Sequence, residues 1–138
     1  MLIDPEQLPT LSVPFMNEDH REEARLINAA ADLLDELRGG KAGPDQVNAA
    51  VDALYAHTRE HFAREESAMT DASFPAYSIH QAEHVRILGE LGEAQRRFKE
   101  SGKGEELSAY LAGFPGWFEQ HIASMDAATA RYVAEWGG

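Results

Sequence analysis

Residues 57–69 read HTREHFAREESAM. His57, His61 and Glu65 recur there at four-residue intervals. An α-helix turns once every 3.6 residues, so that spacing sets all three along one stripe. On either side Val47, Val51, Leu54, Thr58 and Met69 keep the same three- and four-residue spacing, and no alternating strand pattern competes. The stretch therefore predicts the end of a long helix that carries imidazole and carboxylate on its inward face. Such a stripe is either half of a metal site or an accident of a surface rich in polar residues.

Working outward, glycine and proline cut the chain at RGGKAGPD (38–45), DASFPAYS (71–78) and ESGKGEE (100–106). Helices are expected over about 17–38, 45–70, 75–100 and 105–136, after an extended arm over 1–16. Asn17 reads as the cap of the first helix. The first inner face reads His20, Ala24, Ile27, Ala31 and Leu34. The third reads Tyr77, His80, His84, Ile87, Leu91 and Phe98, and the fourth Leu107, Leu111, Trp117, His121 and Met125. Four such helices joined by short loops predict an all-α, antiparallel up-down four-helix bundle, with residues 1–138 as a single domain. GFPG (113–116) interrupts the fourth helix. Pro115 lacks a backbone donor and crowds the preceding turn, so a kink or break is expected there, with a straight functional stretch from Trp117 onward.

Composition narrows the function classes. With 24 acidic against 12 basic residues, the net charge of −12 repels nucleic acid and anionic lipid. There is no cysteine, which excludes disulfides, zinc–thiolate sites, iron–sulfur clusters and thiol nucleophiles. A tightly held metal must therefore use imidazole and carboxylate. MLIDPEQLPTLSVPF (1–15) has acids and prolines where a signal peptide needs a basic start and an apolar run. No run approaches the roughly 18 apolar residues of a membrane span. A cytoplasmic location without membrane insertion is expected.

The six histidines are distributed over all four helices: His20 on the first, His57 and His61 on the second, His80 and His84 on the third, His121 on the fourth. One histidine followed four residues on by an acid is common by chance, and His20 alone is uninformative. The pair His80/His84 is a better chelate, because (i, i+4) imidazoles can grip one ion from one helix face. Accident does not readily place contributions from every helix on or beside an inward stripe, where an unpaired imidazole is costly to bury. A bundle builds a metal site in this way.

The residues also resemble a known family. N-x-D-H (17–20), H-F-x-x-E-E-x-x-M (61–69), H-x-x-x-H (80–84) and W-F-x-x-H-I-x-x-x-D (117–126) are similar to the hemerythrins, closely so to the single-domain bacterial members, over roughly residues 12–136. The resemblance implies two iron ions in a non-haem, oxo- or hydroxo-bridged centre. His80, His84 and His121 would bind one iron, His20 and His61 the other, with Glu65 and Asp126 bridging. His57 is then no ligand. It lies about 40° round the helix from His61, as a packing residue at the rim or one that tunes the site from outside. Glu66 faces solvent or accepts a hydrogen bond. Trp117, Phe118 and Ile122 would line a ligand pocket, with Leu26, Ile27, Phe62 and Met69 as further walls. The family commonly has leucine at Phe118 and often tyrosine at Thr129. Five residues on an ideal helix rotate by about 500°, leaving Asp126 roughly 140° from His121. A one-residue π-bulge that brings both inward is expected, the alternative being that the two side chains lean in from opposite sides.

Counting ligands on this scheme, the three-histidine iron is six-coordinate and the two-histidine iron five-coordinate, so one position is open. Five neutral imidazoles let dioxygen take two electrons and the bridging proton with no change in net charge, which favours reversible binding. Carboxylate-rich sites instead stabilise high oxidation states and O–O cleavage. The expected function is reversible dioxygen binding for storage, delivery or scavenging, beside a reductant or an oxygen-consuming enzyme, and no catalysis. The alternatives are a di-iron enzyme acting on peroxide or nitric oxide, or an oxygen or iron sensor. The chain closes at Trp136–Gly138, so a sensor is expected to need a partner. Imidazole and carboxylate also accept manganese or zinc.

Overall fold

Proline opens two of the helices. Pro14 and Pro44 stand in the first turns of α1 (Pro14–Arg38) and α2 (Pro44–Asp71), where a missing N–H leaves no bond unmade. Helix α3 (Tyr77–Ser101) ends at Gly102, whose φ of 70° is left-handed and suits glycine. Helix α4 (Glu105–His121) runs into a π-helical turn, Ile122–Asp126, which continues as α5 (Ala127–Trp136). The computed structural model describes residues 1–136, so Gly137 and Gly138 lie outside the described residues. Each helix packs on the next and α4 closes against α1, which makes the expected all-α four-helix bundle. No helix among the described residues is long and apolar enough to cross a membrane.

Two local expectations are corrected. Helix α1 begins at Pro14, so Asn17 is not its cap. The Asn17 side chain instead exchanges two hydrogen bonds with the Leu11 backbone, each 2.8 Å. Asn28 does the same for Leu2 and Ile3, accepting at 2.9 and 3.0 Å and donating to Ile3 at 2.7 Å. Two asparagines thus pin the N-terminal arm to α1, and Ile3 is buried in the core. The second correction concerns Pro115. Helix α4 passes through it unbroken, and the irregularity falls at residues 122–126 instead.

The inner face of α1 is Met16, His20, Glu23, Ala24, Ile27, Ala30 and Leu34, with Ala31 only half-buried. Steps of four, three, four, three and four residues from Met16 through His20, Glu23, Ile27, Ala30 and Leu34 mark a bundle seam. On α4, Phe114 and Phe118 are buried while Trp117 is half-buried. Because neighbouring helices are antiparallel, the start of α1, the end of α2, the start of α3 and the end of α4 meet at one end. Leu34, Val47, Leu91, Phe98 and Leu107 fill the other.

Candidate metal centre

At the first end the helices converge on a cluster of nitrogen and oxygen atoms. Glu65, His80, His84, His121 and Asp126 each offer a ligand atom, all within 4.8 Å of one another. Glu65 arrives from α2, the two (i, i+4) histidines from α3, His121 from the last turn of α4. Asp126 reaches the same space through the π turn. There the N–H of Ala127 bonds to the Ile122 carbonyl five residues back. One extra residue in the turn gives position 126 the direction that position 125 has on a regular helix, about 40° from His121. A bulge, rather than opposed leaning of the two side chains, brings His121 and Asp126 together.

The two carboxylates each face two ways. Glu65 Oε1 is 3.2 Å from His84 Nε2 and 3.7 Å from His80 Nε2, while Oε2 is 3.3 Å from His20 Nε2. Asp126 Oδ1 is 2.9 Å from His80 Nε2 and 3.1 Å from His121 Nε2, while Oδ2 is 3.0 Å from His20 Nε2. Both acids therefore stand between the His80, His84, His121 group and His20. The His61 ring packs edge-on to His20 at 5.8 Å. All seven side chains are buried.

Their protonation shows strain that a cation would relieve. Burial pushes Glu65 up, and the neighbouring Asp126 charge adds to it. Burial also opposes ionisation of Asp126, but the close imidazoles of His121, His20 and His80 hold it well below the usual carboxylate range. Burial depresses His20 as well, yet hydrogen bonds to Asp126 and Glu65 prevail and lift it to about 9. Burial, then the adjacent His80, lowers His84 to about 4. Burial, then His20, takes His61 well below its ordinary value.

The donor set fits a metal. Glu65 Oε1, His84 Nε2 and Asp126 Oδ1 are sealed from solvent and form no hydrogen bond, although neighbours stand within 3.2 Å. Glu65, His84 and Asp126 belong to the group whose ligand atoms lie within 4.8 Å of one another, close enough to share an ion. An isolated cluster with that many unsatisfied polar atoms is costly.

Outside the cluster, other groups hold the ring nitrogens that face away. His80 Nδ1 lies 2.8 Å from Thr129 Oγ1, and His84 Nδ1 lies 2.9 Å from Glu66 Oε2. Glu66 is thus a hydrogen-bond acceptor for His84. Phe62 stacks flat on His84 at 3.8 Å, Trp117 stacks on His121 at 4.6 Å, and Phe118 meets His20 edge-on at 5.6 Å. Ile27, Met69 and Ile122 are buried, and Leu26 is half-buried. His121 and Trp117 also border a surface cleft of about 240 Å³ with Glu83, Arg86, Gln120, Ser124 and Met125.

His57 is outside the group formed by Glu65, His80, His84, His121 and Asp126. Its Nε2 is 3.0 Å from the Asp19 carbonyl oxygen, which ties α2 to the turn preceding His20. The Asp19 carboxylate takes two 2.8 Å bonds from Arg64. Sequence reasoning missed Glu23, a buried acid beside His61 whose carboxyl is pushed up to about 8 by burial, against a hydrogen bond from Thr58. The seam spacing from His20 through Glu23 to Ile27 is the signal that marks it.

Residues 11–132 match the family model for the Hemerythrin HHE cation binding domain. The chain is 32% identical over 136 residues to a bacteriohemerythrin of Aquifex aeolicus, covering 98% of this chain and 100% of that one. It is 33% identical over 121 residues to a bacteriohemerythrin of Ralstonia nicotianae, covering 86% and 80% of the two chains. A bacteriohemerythrin of Methylococcus capsulatus is 23% identical over 115 residues, 83% of each chain. No solved structure matches.

Proposed function

The chain belongs to the hemerythrin family, and from that premise we propose that it binds dioxygen reversibly at a non-haem di-iron centre, to store, deliver or scavenge it. In this reading His80, His84 and His121 hold one iron, His20 and His61 the other, and Glu65 and Asp126 bridge them. The observation that supports it most is the two-faced placement of both acids, each with one oxygen toward the three-histidine group and the other toward His20. Iron bound there would supply a reducible centre, able to lend electrons to a small ligand and recover them.

The protein's own residues set the conditions. Five neutral imidazoles against two carboxylates keep the centre's charge low, which favours holding a ligand over cleaving it. Thr129 and Glu66 accept from the outward nitrogens of His80 and His84, and so fix which nitrogen of each ring faces inward. Phe118 and Ile122, both buried, with Trp117 over His121, keep water and protons away from the centre. The acidic, cysteine-free composition suits a cytoplasmic protein served by a reductant or an oxygen-consuming enzyme.

An optical cycle tests the proposal. Reduced protein is exposed to oxygen, then degassed, repeatedly. A visible charge-transfer band that appears and fades over many cycles is expected. Irreversible bleaching, or steady turnover of peroxide or nitric oxide with no oxygenated form, replaces the carrier with an enzyme.

A further inference from the structure

Two buried polar atoms beside the centre have no partner and face each other. Glu23 Oε1 and His61 Nδ1 are sealed from solvent, form no hydrogen bond and stand 3.8 Å apart. An unpaired buried polar atom is costly, so two of them within about an ångström of bonding distance are natural partners. The rest of the Glu23 carboxyl is already anchored. Its Oε2 lies 2.6 Å from Thr58 Oγ1, which is 2.7 Å from the Leu54 carbonyl oxygen. His57 Nε2 approaches Glu23 Oε1 only to 3.7 Å and is 3.0 Å from the Asp19 carbonyl oxygen. A carbonyl only accepts, so that nitrogen carries its proton and spends it on Asp19.

The geometry points to Glu23 as a positioning residue: its Oε1 accepts the Nδ1 proton of His61 and so presents the Nε2 lone pair of that ring to the second metal position. The inference rests on the reading of His61 as a ligand. A neutral imidazole has one N–H, and engaging it on one nitrogen leaves the other as the metal donor. Oε1 accepts whether or not Oε2 carries a proton, so the role does not depend on the state of Glu23. Thr58 stops the carboxyl from rotating away. Glu23 thereby does for His61 what Thr129 does for His80 and Glu66 for His84. The competing use of these atoms is a third cation held by Glu23, His57 and His61, whose ligand atoms lie within 4.8 Å of one another. The bond from His57 to Asp19 argues against it.

Zinc serves as a diamagnetic probe of the full chain. Affinity and stoichiometry are measured by chelator competition, and the His61 Nδ1 proton by NMR of ¹⁵N-histidine-labelled protein. Wild type is expected to bind two zinc ions and to show a slowly exchanging His61 Nδ1 proton. Glu23→Gln retains both sites within a few-fold, because the amide oxygen accepts from His61 and the amide nitrogen donates to Thr58. Glu23→Leu weakens one site about 10–100-fold, spares the other and loses the slow proton. Thr58→Val weakens the same site by a smaller factor. Equal losses in the Gln and Leu variants, or no change in Glu23→Leu, overturn the inference while leaving the paired-metal reading intact. A third zinc in wild type that disappears in Glu23→Gln overturns it in favour of a cation site. Failure of wild type to bind a pair removes both readings together.

Discussion

Where α1 ends and α4 begins, Leu34, Val47, Phe98 and Leu107 close the bundle with apolar side chains. Between 14 and 19 residues away along the same helices, His20, His61, Glu65, His80, His84, His121 and Asp126 occupy the equivalent inward positions. Among the described residues, every buried polar side chain except Gln95 lies in that second half, and Gln95 is answered by Asp52 at 2.7 Å. The apolar half needs no ligand, because burial there contributes about 1.5–3 kcal/mol per large side chain, and Tyr110 Oη is the one sealed atom without a hydrogen-bond partner in it among the described residues. The polar half retains unsatisfied buried atoms and perturbed acids and bases, so its stability awaits a cation. One half makes the fold, and the other is held in shape by it.

That contrast can be broken at several points. Glu65→Leu is expected to have the largest effect, abolishing binding of a metal pair while the metal-free protein unfolds at the same or a higher urea concentration. Elemental analysis beside urea melts reads both, and two retained ions per chain refute the bridging role. Leu91→Ala, in the apolar half, should cost about 2–5 kcal/mol of stability with or without metal and leave metal stoichiometry untouched. Denaturant melts of both forms check it, and a loss of metal in the folded variant would mean the halves are not independent.

Ile122→Thr places a hydroxyl beside the centre and is expected to speed conversion of the oxygenated form to an inert ferric one several-fold, followed by loss of the visible band. An unchanged rate removes Ile122 from the pocket. A smaller effect concerns protons. His20 is lifted to about 9, so it is protonated at pH 7 in the metal-free protein and must release that proton on ligating. Calorimetric metal titrations in buffers of different ionisation enthalpy should therefore show proton release, close to one from this residue. The linkage has a definite sign. His20 at about 9 and Glu23 at about 8 both bind protons more tightly folded than unfolded, so metal-free stability should fall between pH 7 and 9. A flat or rising profile contradicts both. The least effect is expected from Arg64→Ala. The Arg64 side chain is 45% exposed, and its pair with Asp19 should be worth no more than about 1 kcal/mol.

Much of this was legible from residue order. The spacing of Val47, Val51, Leu54, Thr58, His61, Glu65 and Met69 reads as one face, and all seven are buried. The same reading over α1 slipped at Ala31 and passed over Glu23, because a charged residue next to a small apolar one looks like the solvent boundary of a stripe. Asn17 has the chemistry of a helix cap, yet Pro14 had already started the helix, and the side chain was free to bind the arm. Pro115 looked like the place where α4 must yield. Loss of one backbone bond is tolerated there, whereas His121 and Asp126 both turn inward only where the backbone takes up an extra residue.

Residue order alone specified four amphipathic helices, the inward stripe of each histidine, and a donor chemistry limited to imidazole and carboxylate. Those follow from local periodicity and from which side chains can ionise or ligate at all. Only the packing of the helices set both acids between the His80, His84, His121 group and His20, and buried Glu23 behind His61. Each of these depends on distances between atoms on different helices, which no spacing along a single helix specifies.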